Sequence, residues 1–206
     1  MKRRSCLFLA LLLGALTLST ATANNTLDNA AWELLRGGGI ALFRHANARG
    51  VGDPPGMRLD DCSTERNLDE EGRLQARRIG DAFRSRGIQV SAALTSQWCR
   101  AVDTAEIAFP GLARVEPVFN SFFDDPGRPQ TQAAKRLLEG WRGPGALFVS
   151  THQVNITALT GLVPISGEGV VLRTGDDGLV VFGRIRPQQL VGPRRAVTTP
   201  TNAGAL

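Results

Sequence analysis

The sequence predicts a three-layer α/β/α sandwich built on a mixed, mostly parallel central sheet. Two short runs, Ile40-Ala41-Leu42-Phe43 and Ala146-Leu147-Phe148-Val149, are apolar at every position, the pattern of strands covered on both faces. Segments between them carry apolar residues at helical spacing, so strands and helices alternate along the chain. The only two histidines, His45 and His152, each follow one of these runs closely, where the carboxyl ends of parallel strands open toward a ligand.

With 206 residues the chain is long enough for one well-buried domain and does not require two. Residues 1–23 read as an export signal: Lys2-Arg3-Arg4 is a basic start, Cys6 to Leu18 an apolar stretch, and Ala21-Thr22-Ala23 a small-residue cleavage site. An uncleaved anchor is the alternative. The apolar stretch is short against the roughly 20 residues of a membrane span, so no stable membrane insertion is expected after cleavage. The mature protein is expected to be periplasmic or secreted. Of the 24 basic residues three lie in the signal and no acidic one does, which leaves 21 basic against 19 acidic residues. So small an excess does not point to nucleic acid as a partner.

The elements follow in order. An amphipathic segment from Thr26 to Arg36 ends at Gly37-Gly38-Gly39, and the first strand runs from Ile40 to Phe43. A long polar loop with Gly52-Asp53-Pro54-Pro55-Gly56 reaches Asn67, and loops of that length are more often functional than idle. Asp69 is an N-cap followed by Glu70 and Glu71, and Gly72, Ala76, Ile79, Gly80 and Phe83 form a helical stripe that stops at Gly87. Val90 to Thr95 is the second strand, and Ser96 is an N-cap for a helix through Ile107 that ends at Pro110-Gly111. Val115 to Val118 reads as a short edge strand. A helix is expected from Pro129 to Trp141, the buried strand from Ala146 to Ser150, and another helix from Val154 to Leu162. Val170 to Leu172 and Leu179 to Phe182 form a hairpin around Thr174-Gly175-Asp176-Asp177-Gly178. The domain is expected over residues 24–186, and residues 187–206 lack periodicity and read as a disordered tail.

Three strand ends then present Arg44-His45, Ser96 to Arg100, and Thr151-His152 to one sheet edge. Arginine offers phosphate a planar fork of donors, and Arg100 falls in the first turn of its helix, where free N–H groups favour an anion. A neutral imidazole can attack phosphorus, and His45 beside Arg44 is the better placed nucleophile; His152 would support the phosphoryl oxygens. Asn47 is close enough in sequence to reach the phosphate. Thr151 and Gln153 either shape the pocket or cap the next helix. Two histidines and two cysteines without close spacing do not suit a metal. In an exported chain Cys62 and Cys99 suggest a disulfide, which would contribute about 4 kcal/mol through chain entropy, with two free thiols as the alternative.

Leu42-Phe43-Arg44-His45-Ala46, the segment Ser96-Gln97-Trp98-Cys99-Arg100-Ala101-Val102-Asp103-Thr104-Ala105, and Ser150-Thr151-His152 resemble, in order, the three motifs of the histidine phosphatase superfamily, which has the phosphoglycerate mutase-like fold. Leu68 to Ala76 resembles that family's helix-opening segment. The resemblance implies a small exported phosphohydrolase in which His45 is transiently phosphorylated and Arg44, Arg100 and His152 bind the phosphoryl group of a small phosphorylated substrate. It implies no metal and no organic cofactor. Two positions depart from the pattern: Ala46 stands where a glycine is usual, and Gln153 where the acid-phosphatase branch has an acidic residue. The mutase-like branch takes its proton donor from the region after the third strand, where this chain offers Glu116 and Asp124-Asp125, and Asp124 is the candidate. The alternatives are a catalytically weak phospho-ligand-binding protein and a phosphotransferase or mutase.

Overall fold

The computed structural model describes residues 29–122, 128–176 and 178–190. The export signal, the tail beyond Leu190 and the candidate acid Asp124 lie outside the described residues. In chain order the elements are helix α1 (residues 29–36), strand β1 (Ile40–Arg44), helix α2 (Glu70–Ser85), strand β2 (Val90–Thr95), helix α3 (Cys99–Ala108), strand β3 (Ala113–Val115), helix α4 (Arg128–Glu139), strand β4 (Ala146–Thr151), helix α5 (Gln153–Thr160), strand β5 (Gly169–Gly175) and strand β6 (Gly178–Ile185). These strands form one sheet in the order β3-β2-β4-β1-β5-β6. The first four are parallel neighbours, and β5 and β6 are antiparallel additions at one edge.

Side-chain alternation along the central strands generates the layers. Ala41 and Phe43 of β1 pack on one face against Trp32, Ile79, Phe83 and Ala105 from α1, α2 and α3. Ile40 and Leu42 pack on the other against Ala134, Leu138 and Ile156 from α4 and α5. Because both faces are covered, these strands show no polar alternation in sequence. Phe83 is the hub of the first layer, edge-on to Trp32 and Phe109 with ring centroids 5.3 Å apart in each case. The second helix begins as the sequence predicts: Asp69 Oδ1 accepts from the Gly72 N–H at 2.7 Å. A Cβ on Gly72 would lie 2.0 Å from the Asn47 carbonyl oxygen, so glycine lets this helix press against the chain just after His45.

Several boundaries differ from expectation for local reasons. The edge strand is Ala113–Val115, and the chain then coils into a 3-10 turn at Pro117–Phe119. Its last sheet bond runs from the Glu116 N–H to the Thr95 carbonyl, and Pro117 has no N–H with which to continue. Helix α5 stops at Thr160 because Gly161 adopts a left-handed conformation and closes the helix end. The terminal hairpin is longer than its apolar residues suggest, since its pairing includes Arg173 and Thr174. The packed chain also continues past residue 186: Pro187–Leu190 forms a 3-10 turn that buries Leu190 against the α1–α2 face.

Candidate active site

Parallel pairing of β1 with β4 sets Arg44 opposite Thr151, so the two histidines emerge side by side at the carboxyl ends of adjacent strands. The His45 N–H still donates to the Thr151 carbonyl at 2.8 Å, and the imidazole rings lie 5.4 Å apart. Both are almost fully buried. His45 Nδ1 sits 2.8 Å from the Ala46 carbonyl oxygen, which can only accept, so Nδ1 carries the proton and Nε2 an unprotonated lone pair. Toward that lone pair Arg100 Nε donates at 3.2 Å. Burial pushes the His45 pKa down to about 3; the Ala46 hydrogen bond opposes the shift, and Arg100, Arg44 and Arg66 add to it. Burial likewise holds His152 well below its ordinary value, helped by His45 and Arg100. Both imidazoles are therefore neutral at ordinary pH.

Arg100 is 2 % exposed and fixed from two sides, by His45 and by Asp53 Oδ1, which accepts from Nη1 at 2.7 Å. The other Asp53 oxygen accepts from Trp98 Nε1 at 2.9 Å. Burial alone would raise the Asp53 carboxyl, but the bonds from Arg100 and Trp98 outweigh it and keep it below its usual range. Arg44 Nη1 donates to Gln153 Oε1 at 2.9 Å and to the Pro164 carbonyl at 3.1 Å, while its Nε is buried without a partner among the described residues. Gln153 thus serves to aim an arginine. These groups converge on a cavity of about 260 Å³ lined by Arg44, His45, Arg66, Arg100, His152 and Gln153, with Val51, Gly52, Ser121 and Val154 at its walls.

Of the residues expected in the site, Arg44, His45, Arg100 and His152 come together. Asn47 does not: its side chain donates to Asp69 Oδ2 at 2.8 Å, and its backbone N–H to Gln75 Oε1. It braces the start of α2, because the chain turns away from the cavity immediately after Ala46. Ser96 is not a helix cap either. Helix α3 starts at Cys99, whose N–H donates to Glu65 Oε2 at 2.8 Å, and Ser96 Oγ lies instead 2.8 Å from His152 Nε2. The Cys62–Cys99 disulfide is formed. It fastens the polar loop to the residue beside Arg100, and the same loop supplies Asp53, Glu65 and Arg66, none of which was expected in the site. The signal for them lay in the cysteines, since a bridge to Cys99 brings charged neighbours of Cys62 near Arg100.

A family model described as histidine phosphatase superfamily (branch 1) matches residues 40–121. Protein histidine phosphatase SixA, solved with tungstate, superposes with a TM-score of 0.57 at 16% identity over 74% of this chain and 99% of its own. A phosphoserine phosphatase mutant from Entamoeba histolytica, solved with phosphoserine, gives 0.55 at 12% identity over 74% and 99%. Residues 40–121 are thus similar to the histidine phosphatase superfamily, and the chain has the fold of these solved structures. Protein TTHB049 from Thermus thermophilus shares that architecture, with a TM-score of 0.51 at 21% identity over 72% and 99%. No functionally curated protein matches the chain by sequence. The histidine phosphatase family match covers Arg44, His45 and Arg100 and ends before His152, which the β1–β4 pairing delivers to the same cavity.

Proposed function

We propose that this chain is an exported phosphohydrolase that cleaves phosphomonoesters through a phosphohistidine on His45. The observation that carries the reading is the state of that ring: neutral, with Nδ1–H spent on a carbonyl and the Nε2 lone pair facing a cavity lined by three arginines. Attack by Nε2 forms an N–P bond as the ester P–O bond breaks and its electrons leave on the alcohol oxygen, which takes up a proton. Water then attacks phosphorus, the N–P bond breaks, and the lone pair returns to Nε2. Arg44, Arg100 and His152 hold the phosphoryl oxygens as charge shifts across them, the kind of fixed electrostatic support that is usually the largest part of catalysis. Asp124 is the proposed donor to the leaving oxygen. The neighbours' contents agree with this chemistry: tungstate in one is a tetrahedral oxyanion, and phosphoserine in another is a phosphomonoester. Export is supported by the leader pattern of residues 1–23 and by a disulfide, which persists in oxidising compartments.

The test is a quenched reaction of the mature protein with aryl and alkyl phosphates. Wild type is expected to turn over and to carry acid-labile, base-stable phosphate; His45→Ala should do neither. Asp124→Asn should slow alkyl esters by about 10²–10⁴-fold while sparing the aryl ester, whose leaving group needs no acid. Tight phosphate binding by wild type with neither turnover nor phosphoenzyme would overturn the hydrolase and leave a phospho-ligand-binding protein.

A further inference from the structure

We infer that Arg66 is a third guanidinium ligand for the phosphoryl group and that it makes the cavity select doubly charged phosphate over singly charged forms. The inference rests on the phosphohydrolase reading for the identity of its ligand. Its own basis is an imbalance of charge. Arg44, Arg66 and Arg100 all line one cavity of about 260 Å³ with two neutral histidines. Of these three arginines only Arg100 is paired with a carboxylate among the described residues, Asp53. Glu65 also lies near Arg100, and among the described residues three guanidiniums against these two carboxylates leave the half-enclosed space positively charged. A phosphomonoester carries roughly −1.5 to −2 at neutral pH, so its doubly charged form offsets more of that positive charge than a single negative charge does.

The way Arg66 is held fits a ligand rather than a structural ion pair. Nε donates to the Gly52 carbonyl at 2.9 Å and Nη1 donates to the Ala48 carbonyl. Neutral carbonyls fix the plane of the fork without cancelling its charge, and Nη2 has no partner among the described residues. Burial lowers the Arg66 pKa and the nearby Arg100 and Arg44 lower it further, against Asp53. Three like charges brought together repel one another, and an anion between them relieves that repulsion. The origin of the side chain is also fixed. Glu65, the preceding residue, accepts from the Cys99 N–H, and Cys62 is bonded to Cys99, so the loop delivers Arg66 from the same anchor that starts the Arg100 helix.

The experiment measures binding of inorganic phosphate by calorimetry, which reads Arg66 without requiring turnover. Wild type, Arg66→Met and the charge control Arg77→Met, an exposed helix residue, are compared at about pH 5.5 and about pH 8, on either side of the second ionisation of a phosphate group. Wild type should bind better at the higher pH. Arg66→Met should bind about 10–100-fold more weakly there, the worth of one charge-assisted hydrogen bond, with a smaller loss at the lower pH. Arg77→Met should behave as wild type. Unchanged binding in Arg66→Met overturns the proposal; so does an equal loss at both pH values, which is what a slackened loop alone would produce. Arg66→Gln, which keeps a donor for the Gly52 carbonyl, is the second variant if the methionine form does not fold. If wild type binds phosphate but forms no phosphoenzyme, the hydrolase reading fails while the Arg66 result stands on binding alone.

Discussion

At the scale of single residues, the site shows which directions a sequence can and cannot convey. His45 and His152 were legible because a buried strand fixes where its last side chains go, and Arg44 and Arg100 because each sits beside a strand end or in a first helical turn. Asn47 is two residues from His45, yet its amide serves Asp69, since proximity in sequence carries no direction once the strand has ended. Ser96 was legible as a residue and not as a role. Serine after a strand reads as a helix cap, but Glu65 from a distant loop caps this helix and frees the hydroxyl for His152. Removing that hydroxyl leaves a buried imidazole nitrogen unpaired, at a cost of about 1–3 kcal/mol. Ser96→Ala is therefore expected to lower kcat on an aryl phosphate by about tenfold, with little change in KM, as His152 loses its fixed orientation. Steady-state kinetics on the folded variant checks this. An unchanged kcat would show that Ser96 merely fills space.

At the scale of elements, helices and parallel strands were readable from periodicity, whereas the loop over residues 48–67 was not. Its contribution depends on tertiary contacts: Asp53 on Arg100, Glu65 on the Cys99 N–H, Arg66 in the cavity, and Cys62 bonded to Cys99. No repeat of polar and apolar residues encodes such contacts. The loop is short of buried apolar side chains, so the disulfide bears much of the task of holding it. Closing a loop with a separation of 37 residues is worth about 4 kcal/mol in the chain-entropy model. Replacing both cysteines by serine should lower the melting temperature and weaken phosphate binding together, because the loop that slackens also carries Asp53 and Arg66. Thermal unfolding and phosphate calorimetry, each with and without reductant on wild type, separate the two effects. A variant that melts early but binds phosphate normally would show that the loop keeps its place without the bond.

At the scale of the whole molecule, the layers meet on a sheet whose carboxyl edge gathers a cluster of buried polar groups, His45, His152, Arg100 and Ser96 among them. The fold therefore carries an electrostatic load, and pH should expose it. His45 titrates at about 3 in the folded protein against an ordinary 6.5, and His152 is shifted in the same direction. Below pH 6.5 the unfolded chain takes up protons that the folded chain refuses, so acidification favours unfolding. Stability should be fully present above about pH 6.5 and fall toward pH 3, by up to about 1.4 kcal/mol per pH unit for each histidine. Asp53, whose carboxyl is held below its usual range, adds to the loss in the acid part of that window. Urea unfolding of wild type at pH 7 and at pH 5 should show the drop, and His45→Gln and His152→Gln should each make it shallower. Inorganic phosphate should restore stability by binding only the folded state. Parallel pH slopes for wild type and both variants would mean that the two imidazoles accept protons freely in the folded protein, and the neutral nucleophile would lose its physical basis.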